Sequence, residues 1–525
     1  MIQRFNKIPK TNDARRDLSE PKAKPLWLIG CITLVLGSLL LLQLMLHGHI
    51  GAVDEYDDGV YFASAMNLGH GVLPYKDFAF LQPPVILYLL LPATWFGNHF
   101  GTMFGLEVAR SFIDLIPLCN VVLVGLVLRT RKTTSLLLGM GVMAFYEGTI
   151  TSAQTVLIEP ALCLFCLIAI VIIFWEQKLT SSMWRLSLGG ISFGIAGATK
   201  LWAVFPFLIV AVILLRRSVG VSLRFVLATG LGFLIPIAPF LVTSPFSFFN
   251  QILFTQARRG FSGLTIFGRI SSLSSELYIY HWDKVVGVLV AIVVLLTFIS
   301  LSLKVIKNVG SSNWESIEVF GIGSTLIVGA ILAVAPAYYY HYAGFVAPFC
   351  AFGIVGLFEY FTNSPLGLDD LQQRRRYRAK SQKVFVGALL AILVIGDFVG
   401  IFENPAAPIV PPVAKAAVQS LGCVVSDVPT VMILMNRLTT FTKGCPNVVD
   451  WNGQERVVDF GASGVASDAS NPAFQKMVLS WFRSATTVVL GGAYPGVGPV
   501  AMRYLRANYR STYNKSLGIT IYSKL

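Results

Sequence analysis

Apolar runs close to the length of a membrane-crossing helix recur along this chain, separated by short polar stretches that hold most of its basic residues. A bilayer core takes about 20 apolar residues per helix, so Trp27 to Leu46 and Leu106 to Leu128 are predicted spans. Basic residues collect on the inner loops of membrane proteins. Met1 to Pro25 holds seven Lys or Arg, which sends the first span outward and reads as a cytoplasmic tail ahead of an uncleaved anchor. Arg129-Thr130-Arg131-Lys132 then brings the second span back inward. The shorter piece Pro83 to Phe96 would break this alternation if it crossed, so it is expected to lie as an interfacial helix on the outer face. The same rule predicts spans at 133–150, 155–176, 186–199, 202–215, 222–243, 285–303, 316–336, 342–361 and 384–401, about eleven in all. Lys178, Arg185, Arg216, Arg217, Lys304, Lys307 and the run Arg374 to Arg378 all fall inside. An odd number of crossings places the carboxyl end outside.

From about Glu403 the pattern changes. Extended runs at Cys423 to Ser426, Asn447 to Trp451, Thr487 to Leu490 and Gly518 to Tyr522 alternate with helical patterns at Val431 to Leu438, Phe474 to Phe482 and Pro499 to Tyr509. Strand and helix in turn predict a small α/β domain. The organisation expected is a tail over 1–26, a transmembrane domain over 27–402 with a large outer loop over 47–105, and an extracytoplasmic domain over 403–525.

Composition supports a mainly α, polytopic membrane protein. Hydrophobic residues make up 55% and charged residues 13%, with a mean hydropathy of +0.68, outside the range of soluble globular chains. The net charge of +14 is spread in clusters between apolar runs, a membrane pattern that argues against nucleic acid as a partner. Of seven cysteines, Cys423 and Cys445 lie in the outer domain, where the compartment permits them to pair or to remain free thiols. Cys163 and Cys166 have CxxC spacing, but in an apolar helix without further ligands they read as small packing residues.

Acid is scarce, with 27 Asp and Glu in 525 residues, yet four carboxylates occupy five positions in Asp54-Glu55-Tyr56-Asp57-Asp58. The topology puts them in the first outer loop. Val60, Phe62, Ala63, Met66 and Asn67 follow at helical spacing, so Asp57 and Asp58 are expected at the amino end of a surface helix, where the dipole favours negative charge. They read either as helix-capping acids or as a general base, with or without a divalent cation between them. Asp54 and Glu55 rank second. Downstream come Gly71-Val72-Leu73-Pro74-Tyr75-Lys76-Asp77-Phe78 and Gln82-Pro83-Pro84.

Asp57-Asp58-Gly59-Val60-Tyr61, then Gly71-x-x-Pro74-Tyr75-x-Asp77-Phe78 and Pro83-Pro84, resembles the first outer loop of GT-C fold glycosyltransferases that use lipid-linked sugars. The nearest likeness is to bacterial relatives of protein O-mannosyltransferases and aminoarabinose transferases, a family-39-like group. The pair is usually Asp-Glu there and is Asp-Asp here, which keeps two carboxylates. The resemblance implies a polyprenyl-phosphate-linked monosaccharide donor, an acceptor glycan, lipid or protein, membrane lipids as surroundings, and inversion at the sugar carbon. It implies Asp57 or Asp58 as base, and Asp77 and Gln82 as candidates to contact acceptor or sugar.

Glu159 in Leu157-Ile158-Glu159-Pro160 falls near the outer end of a span, where the family is similarly acidic. It reads as a site residue that orders the acceptor, or as a snorkelling acid. Lys200 ends the Gly-rich stretch Gly194 to Thr199 on the outer face, against the positive-inside pattern, and is a candidate to hold a lipid phosphate as a point charge. Arg258 and Arg259 break the pattern too, as phosphate ligands or as headgroup anchors. Pro336 to Tyr342 reads as an aromatic belt, while the resemblance makes Tyr339 and His341 neighbours of the donor. His47, His49, His70, His99 and His281 form no metal spacing. No Walker loop, Rossmann fingerprint or His-Glu-x-x-His motif is present, and Gly491 to Gly498 reads as a turn before a helix. A transporter or flippase of lipid-linked sugars, or an envelope-binding scaffold, are the other classes; a transporter would show related halves and a midplane site.

Overall fold

The computed structural model describes residues 23–46, 49–175, 177–275, 277–307, 314–363, 371–403, 407–418, 422–458, 470–491 and 496–525. Most of the tail expected over 1–26, His47, and part of the glycine-rich stretch Gly491 to Gly498 lie outside these residues. The first ten helices are α1 (Leu26–Leu46), α2 (Tyr56–Gly69), α3 (Val85–Phe100), α4 (Thr102–Leu128), α5 (Thr133–Phe145), α6 (Glu147–Ala153), α7 (Glu159–Ile173), α8 (Met183–Thr199), α9 (Val204–Arg217) and α10 (Val219–Thr243). Helices Lys284–Lys307, Ile317–Val334, Ala347–Asn363 and Leu371–Glu403 follow.

Each of the eleven predicted spans coincides with a helix or a broken pair of helices. Only six among the described residues are long and apolar enough to cross by themselves: α1, α4, α10, Lys284–Lys307, Ile317–Val334 and Lys380–Gly400. The predicted span at 133–150 is α5 plus α6, bent by 44° at Tyr146. Helices α7, α8, α9 and Ala347–Asn363 have 15, 17, 14 and 17 residues, so at 1.5 Å per residue they reach about 21–26 Å against a core of about 30 Å. Buried positions crowd their inner sides, as with Leu162, Cys166, Ile170 and Ile173 on α7. Short helices inside a bundle leave room at one end for a site. By contrast α10 and Lys284–Lys307 carry rows of exposed Leu, Ile and Val, the surface expected to meet lipid.

The basic clusters gather at the end of the bundle away from the acidic motif. Arg131, just past α4, pairs with Glu318 and Glu359, and Arg217 pairs with Glu315 and holds the carbonyls of Leu179 and Thr180. Arg129 stacks on Trp175. Arg110, near the start of α4, sits 21 residues before Arg131, about 30 Å along the helix. The expected interfacial piece is α3, whose amphipathic face packs on α2 and α4 through Ile86, Leu87, Leu90 and Gly97.

The carboxyl-terminal domain has a four-stranded sheet in the order β3-β4-β6-β5, with β3 (Val424–Ser426), β4 (Thr487–Gly491), β5 (Tyr509–Asn514) and β6 (Ile519–Lys524). Strands β3 and β4 are parallel, and β6 is antiparallel to both neighbours. Val488 and Leu490 face helix Pro472–Ser484 through Phe474, Val478 and Phe482, with Trp451 between them. Three predicted strands appear. Asn447 to Trp451, expected as extended, instead leads into helix Trp451–Val458, and β5 was hidden because Arg510, Ser511 and Thr512 give no apolar alternation on an exposed edge. Two short strands, β1 (Ser262–Gly263) and β2 (Ala337–Tyr338), pair in parallel and tie the loop after α10 to the tyrosine-rich segment.

Cys423 and Cys445 form a disulfide. The loop it closes is a clasp on the outer-loop helices. Asn436 accepts from the Met103 amide at 2.8 Å, Thr102 Oγ1 donates to the Ile433 carbonyl at 2.8 Å, Thr440 Oγ1 donates to Asn67 at 2.6 Å, and Phe441 stacks on His70 at 4.0 Å. Val431, Ile433 and Leu434 extend the α2–α4 core into the second domain. Each such buried aliphatic side chain contributes about 1.5–3 kcal/mol, so the two domains share one apolar seam.

Candidate active site

Helix α2 starts at Tyr56, and its first turn carries Asp57 and Asp58. Neighbouring helical residues point about 100° apart, so the pair cannot face the same surroundings. Asp58 turns into the core, with no exposed surface. Its Oδ2 accepts from Arg110 Nε at 3.0 Å, from Arg110 Nη2, and from Thr155 Oγ1 at 2.6 Å. Its Oδ1 accepts from Thr430 Oγ1 of the clasp at 2.8 Å. Arg110 also holds the carbonyls of Ile50 and Ala52 at 3.0 and 2.8 Å. With every oxygen engaged and no access, Asp58 does not suit the base role expected for either acid; it is a keystone joining α2, α4, the turn before α7 and the second domain. Gly59 makes this possible, because a Cβ there would lie 2.3 Å from the Thr430 amide nitrogen.

Asp57 turns the other way, half-buried, with Tyr61 Oη 3.4 Å from its Oδ2. Withdrawal from water raises its proton affinity, opposed by His341, Arg259 and Lys200 and reinforced by Asp450. A carboxylate poised upward in this way suits proton abstraction. Glu55, also half-buried, is pushed up to about 8 by burial and then by Asp57, Asp54 and Asp58.

A cationic wall faces Asp57. Arg259 Nη2 lies 3.3 Å from Tyr339 Oη, and its guanidinium sits 5.5 Å above that ring. His341 is 4% exposed, and its Nδ1 has no hydrogen-bond partner among the described residues. Its ring is parallel to Tyr339 at 6.0 Å and edge-on to Tyr342 at 4.9 Å. Burial lowers the proton affinity of His341, so its ring tends to the neutral form. The turn that carries it is locked on α6, because a Cβ on Gly344 would lie 2.5 Å from the Gly148 carbonyl oxygen. Arg269 fixes the adjoining backbone, donating to the Leu264 carbonyl at 2.8 Å and to that of Ala335.

Lys200 Nζ reaches Glu159 Oε1 at 2.5 Å and lies 3.7 Å from the Trp202 ring centroid and 4.1 Å from that of Tyr342. A cation between two aromatic faces and a carboxylate is held in place. Glu159, expected to order an acceptor, orients Lys200 through its Oε1. Arg258 is exposed, unlike Arg259. Asp77 is exposed and accepts from the Leu73 amide at 2.8 Å, closing its own loop. Gln82 offers its carbonyl to Tyr75 Oη at 2.6 Å. These contacts shape the loop, and they leave the Gln82 side-chain amide and the second oxygen of Asp77 outside them.

The family model described as dolichyl-phosphate-mannose-protein mannosyltransferase matches residues 108–254, a stretch holding Arg110, Thr155, Glu159 and Lys200 but ending before Arg259. No curated protein matches the chain by sequence. Among solved structures it is similar to ArnT from Cupriavidus metallidurans in the apo state, with a TM-score of 0.57 at 12% identity over 95% of this chain and 98% of that one. The same protein bound to undecaprenyl phosphate gives a TM-score of 0.55 at 12% identity, with the same coverage of each chain. The chain has the GT-C fold.

Within this GT-C chain several site residues carried no motif. Arg110 had a readable signal, a lone arginine four residues into an apolar run. Thr155, Thr430 and Asp450 had none, since each is an ordinary residue until folding brings it to α2. Asp450 accepts from Tyr56 Oη at 2.9 Å and from the Gly453 amide at 2.8 Å. Among the described residues no group of three or more His, Cys, Asp or Glu is arranged to hold a metal ion, and Asp58, fully engaged by donors, does not fit a cation shared with Asp57.

Proposed function

We propose that the protein is a glycosyltransferase of the outer face of the plasma membrane, moving a monosaccharide from a polyprenyl-phosphate donor to a hydroxyl of a cell-envelope acceptor. One observation carries the reading: a half-buried carboxylate, Asp57, shares a site with Lys200, Arg259 and His341 at one end of an apolar bundle. A base opposite an anion-binding wall is what displacement at a sugar carbon needs. The likeness to ArnT, which binds undecaprenyl phosphate, supports a lipid-linked donor.

In this mechanism Asp57 takes the proton of the acceptor hydroxyl as that oxygen bonds to the anomeric carbon from the face opposite the phosphate. The bond from the anomeric carbon to the phosphate oxygen breaks, and its electron pair leaves with the polyprenyl phosphate. Arg259 and Lys200 stabilise the charge on that phosphate, and neutral His341 donates a hydrogen bond from its ring to a phosphate oxygen. The configuration inverts. A lipid tail would lie along the exposed apolar faces of the bundle.

The test uses full-length protein in lipid nanodiscs with radiolabelled undecaprenyl-phosphate sugars and cell-envelope extract as acceptor. Asp57→Asn is expected to lower sugar transfer by about 10²–10⁴-fold with unchanged expression. Full transfer by this variant, or movement of intact donor across a vesicle bilayer without its consumption, defeats the reading; the second result identifies a flippase.

A further inference from the structure

The second domain reaches the site through Asp450, at the start of helix Trp451–Val458. Its Oδ1 is fixed twice, by Tyr56 Oη at 2.9 Å and by the Gly453 amide at 2.8 Å. Tyr56 Oη in turn lies 3.2 Å from the Asn452 amide nitrogen, so the residue preceding Asp57 is stitched to this loop at two points. The Gly453 bond is a helix cap. It leaves the tyrosine bond and the position beside Asp57 unexplained. Asp450 lies within electrostatic reach of both Asp57 and Arg259.

We propose that Asp450 is a positioning residue for the Asp57 base: its carboxylate, tied to Tyr56 at the start of α2, sets the field in which Asp57 accepts the acceptor's proton. The assignment rests on Asp57 being the base of a transferase. The groups around Asp57 decide whether such a field is felt. On its own helix and the residues just before it, Asp54 lies close by, Glu55 is largely protonated at neutral pH because burial and its acidic neighbours push it up to about 8, and Asp58 is matched by Arg110. Tyr61, one turn along the same helix, offers a neutral hydroxyl, and from the facing elements come Lys200, itself matched by Glu159, together with Arg259, His341 and the neutral hydroxyl of Tyr342. Arg456 lies beside Asp450 but not among the principal charges at Asp57. Asp450 is thus the carboxylate of the second domain that bears on the base. Without it the cations would hold Asp57 ionised but too weakly basic to draw a proton from a hydroxyl. The base then works fully only when the second domain is seated.

The experiment is an infrared pH titration of full-length protein in nanodiscs, with the Asp57 carboxylate band isolated by subtracting the spectrum of Asp57→Asn. Asp450→Asn keeps an acceptor for Tyr56 but removes the charge. It is expected to lower the Asp57 midpoint by about one pH unit, a tenfold loss of proton affinity. Tyr56→Phe keeps the charge but frees it, and should move the midpoint the same way by a smaller amount. This variant carries the test if Asp450→Asn fails to fold. An unmoved midpoint in every variant that folds overturns the proposal, whatever the activity. Absence of donor turnover by the unaltered protein, with the midpoint still shifted, instead overturns the transferase reading and leaves the electrostatic link intact.

Discussion

Arg110→Met tests the keystone directly. The side chains are similar in length, so the change removes charge and hydrogen bonds with little loss of packing. Asp58, with no exposed surface, would keep its threonine donors but lose the guanidinium that engages it at Nε and Nη2. Breaking a buried ion pair by removing one partner costs about 3–5 kcal/mol. The Ala52 carbonyl, held at 2.8 Å in a buried position, adds about 1 kcal/mol. The total of about 4–6 kcal/mol is a large part of a domain stability of about 5–15 kcal/mol. The assay is thermal and urea unfolding in detergent, followed by tryptophan fluorescence, over the cycle of Asp58→Asn, Arg110→Met and the double variant. The double variant removes both charges and is expected to recover at least about 2 kcal/mol over Arg110→Met alone. A loss below about 1 kcal/mol in Arg110→Met, or a double variant as unstable as the sum of the single ones, would refute the keystone.

Three further outcomes follow from the same contacts. Gly59→Ala puts a methyl group 2.3 Å from the Thr430 amide nitrogen and is expected to cost about 1–3 kcal/mol and to make the second domain protease-sensitive; unchanged sensitivity counts against the close approach. The disulfide spans a sequence separation of 22, so its loss in Cys423→Ser should cost about 3 kcal/mol and make unfolding insensitive to reductant, with a parallel fall in transfer as the clasp loosens. Glu55 has a folded value of about 8 against an ordinary 4.5; the protonated form is favoured on folding, so its contribution is full below about pH 4.5 and is lost as pH rises through 8. Glu55→Gln should flatten the stability profile across that window, and an unaltered slope by calorimetry would exclude the assignment.

Much of this was written in local pattern. Each apolar run could be matched to a helix or a broken pair of helices, because lipid demands that outward faces be apolar and that backbone groups pair within the segment. Crossing length was less legible. Helices α7, α8, α9 and Ala347–Asn363 bury apolar residues against protein as well as lipid, and composition does not distinguish the two. The acidic cluster pointed to the start of α2, Lys200 and Arg259 drew attention by standing against the topology, and Tyr339 and His341 by the resemblance. Asp77 and Gln82 drew attention only by lying in the motif, and the contacts they make lie within their own loop.

Sequence by itself determined a polytopic bundle with an α/β appendage and an acid-bearing helix start outside the main spans, since hydropathy and helical period act over a few turns. Tertiary structure alone set Asp57 and Asp58 in different surroundings. The two side chains diverge by about 100° around α2. What each one meets comes from Arg110, Thr155, Thr430, His341 and Asp450, residues brought in from elsewhere in the chain. A carboxylate becomes a strut or a base according to whether its charge is matched and shut away or faces an open site, and only long-range packing sets that.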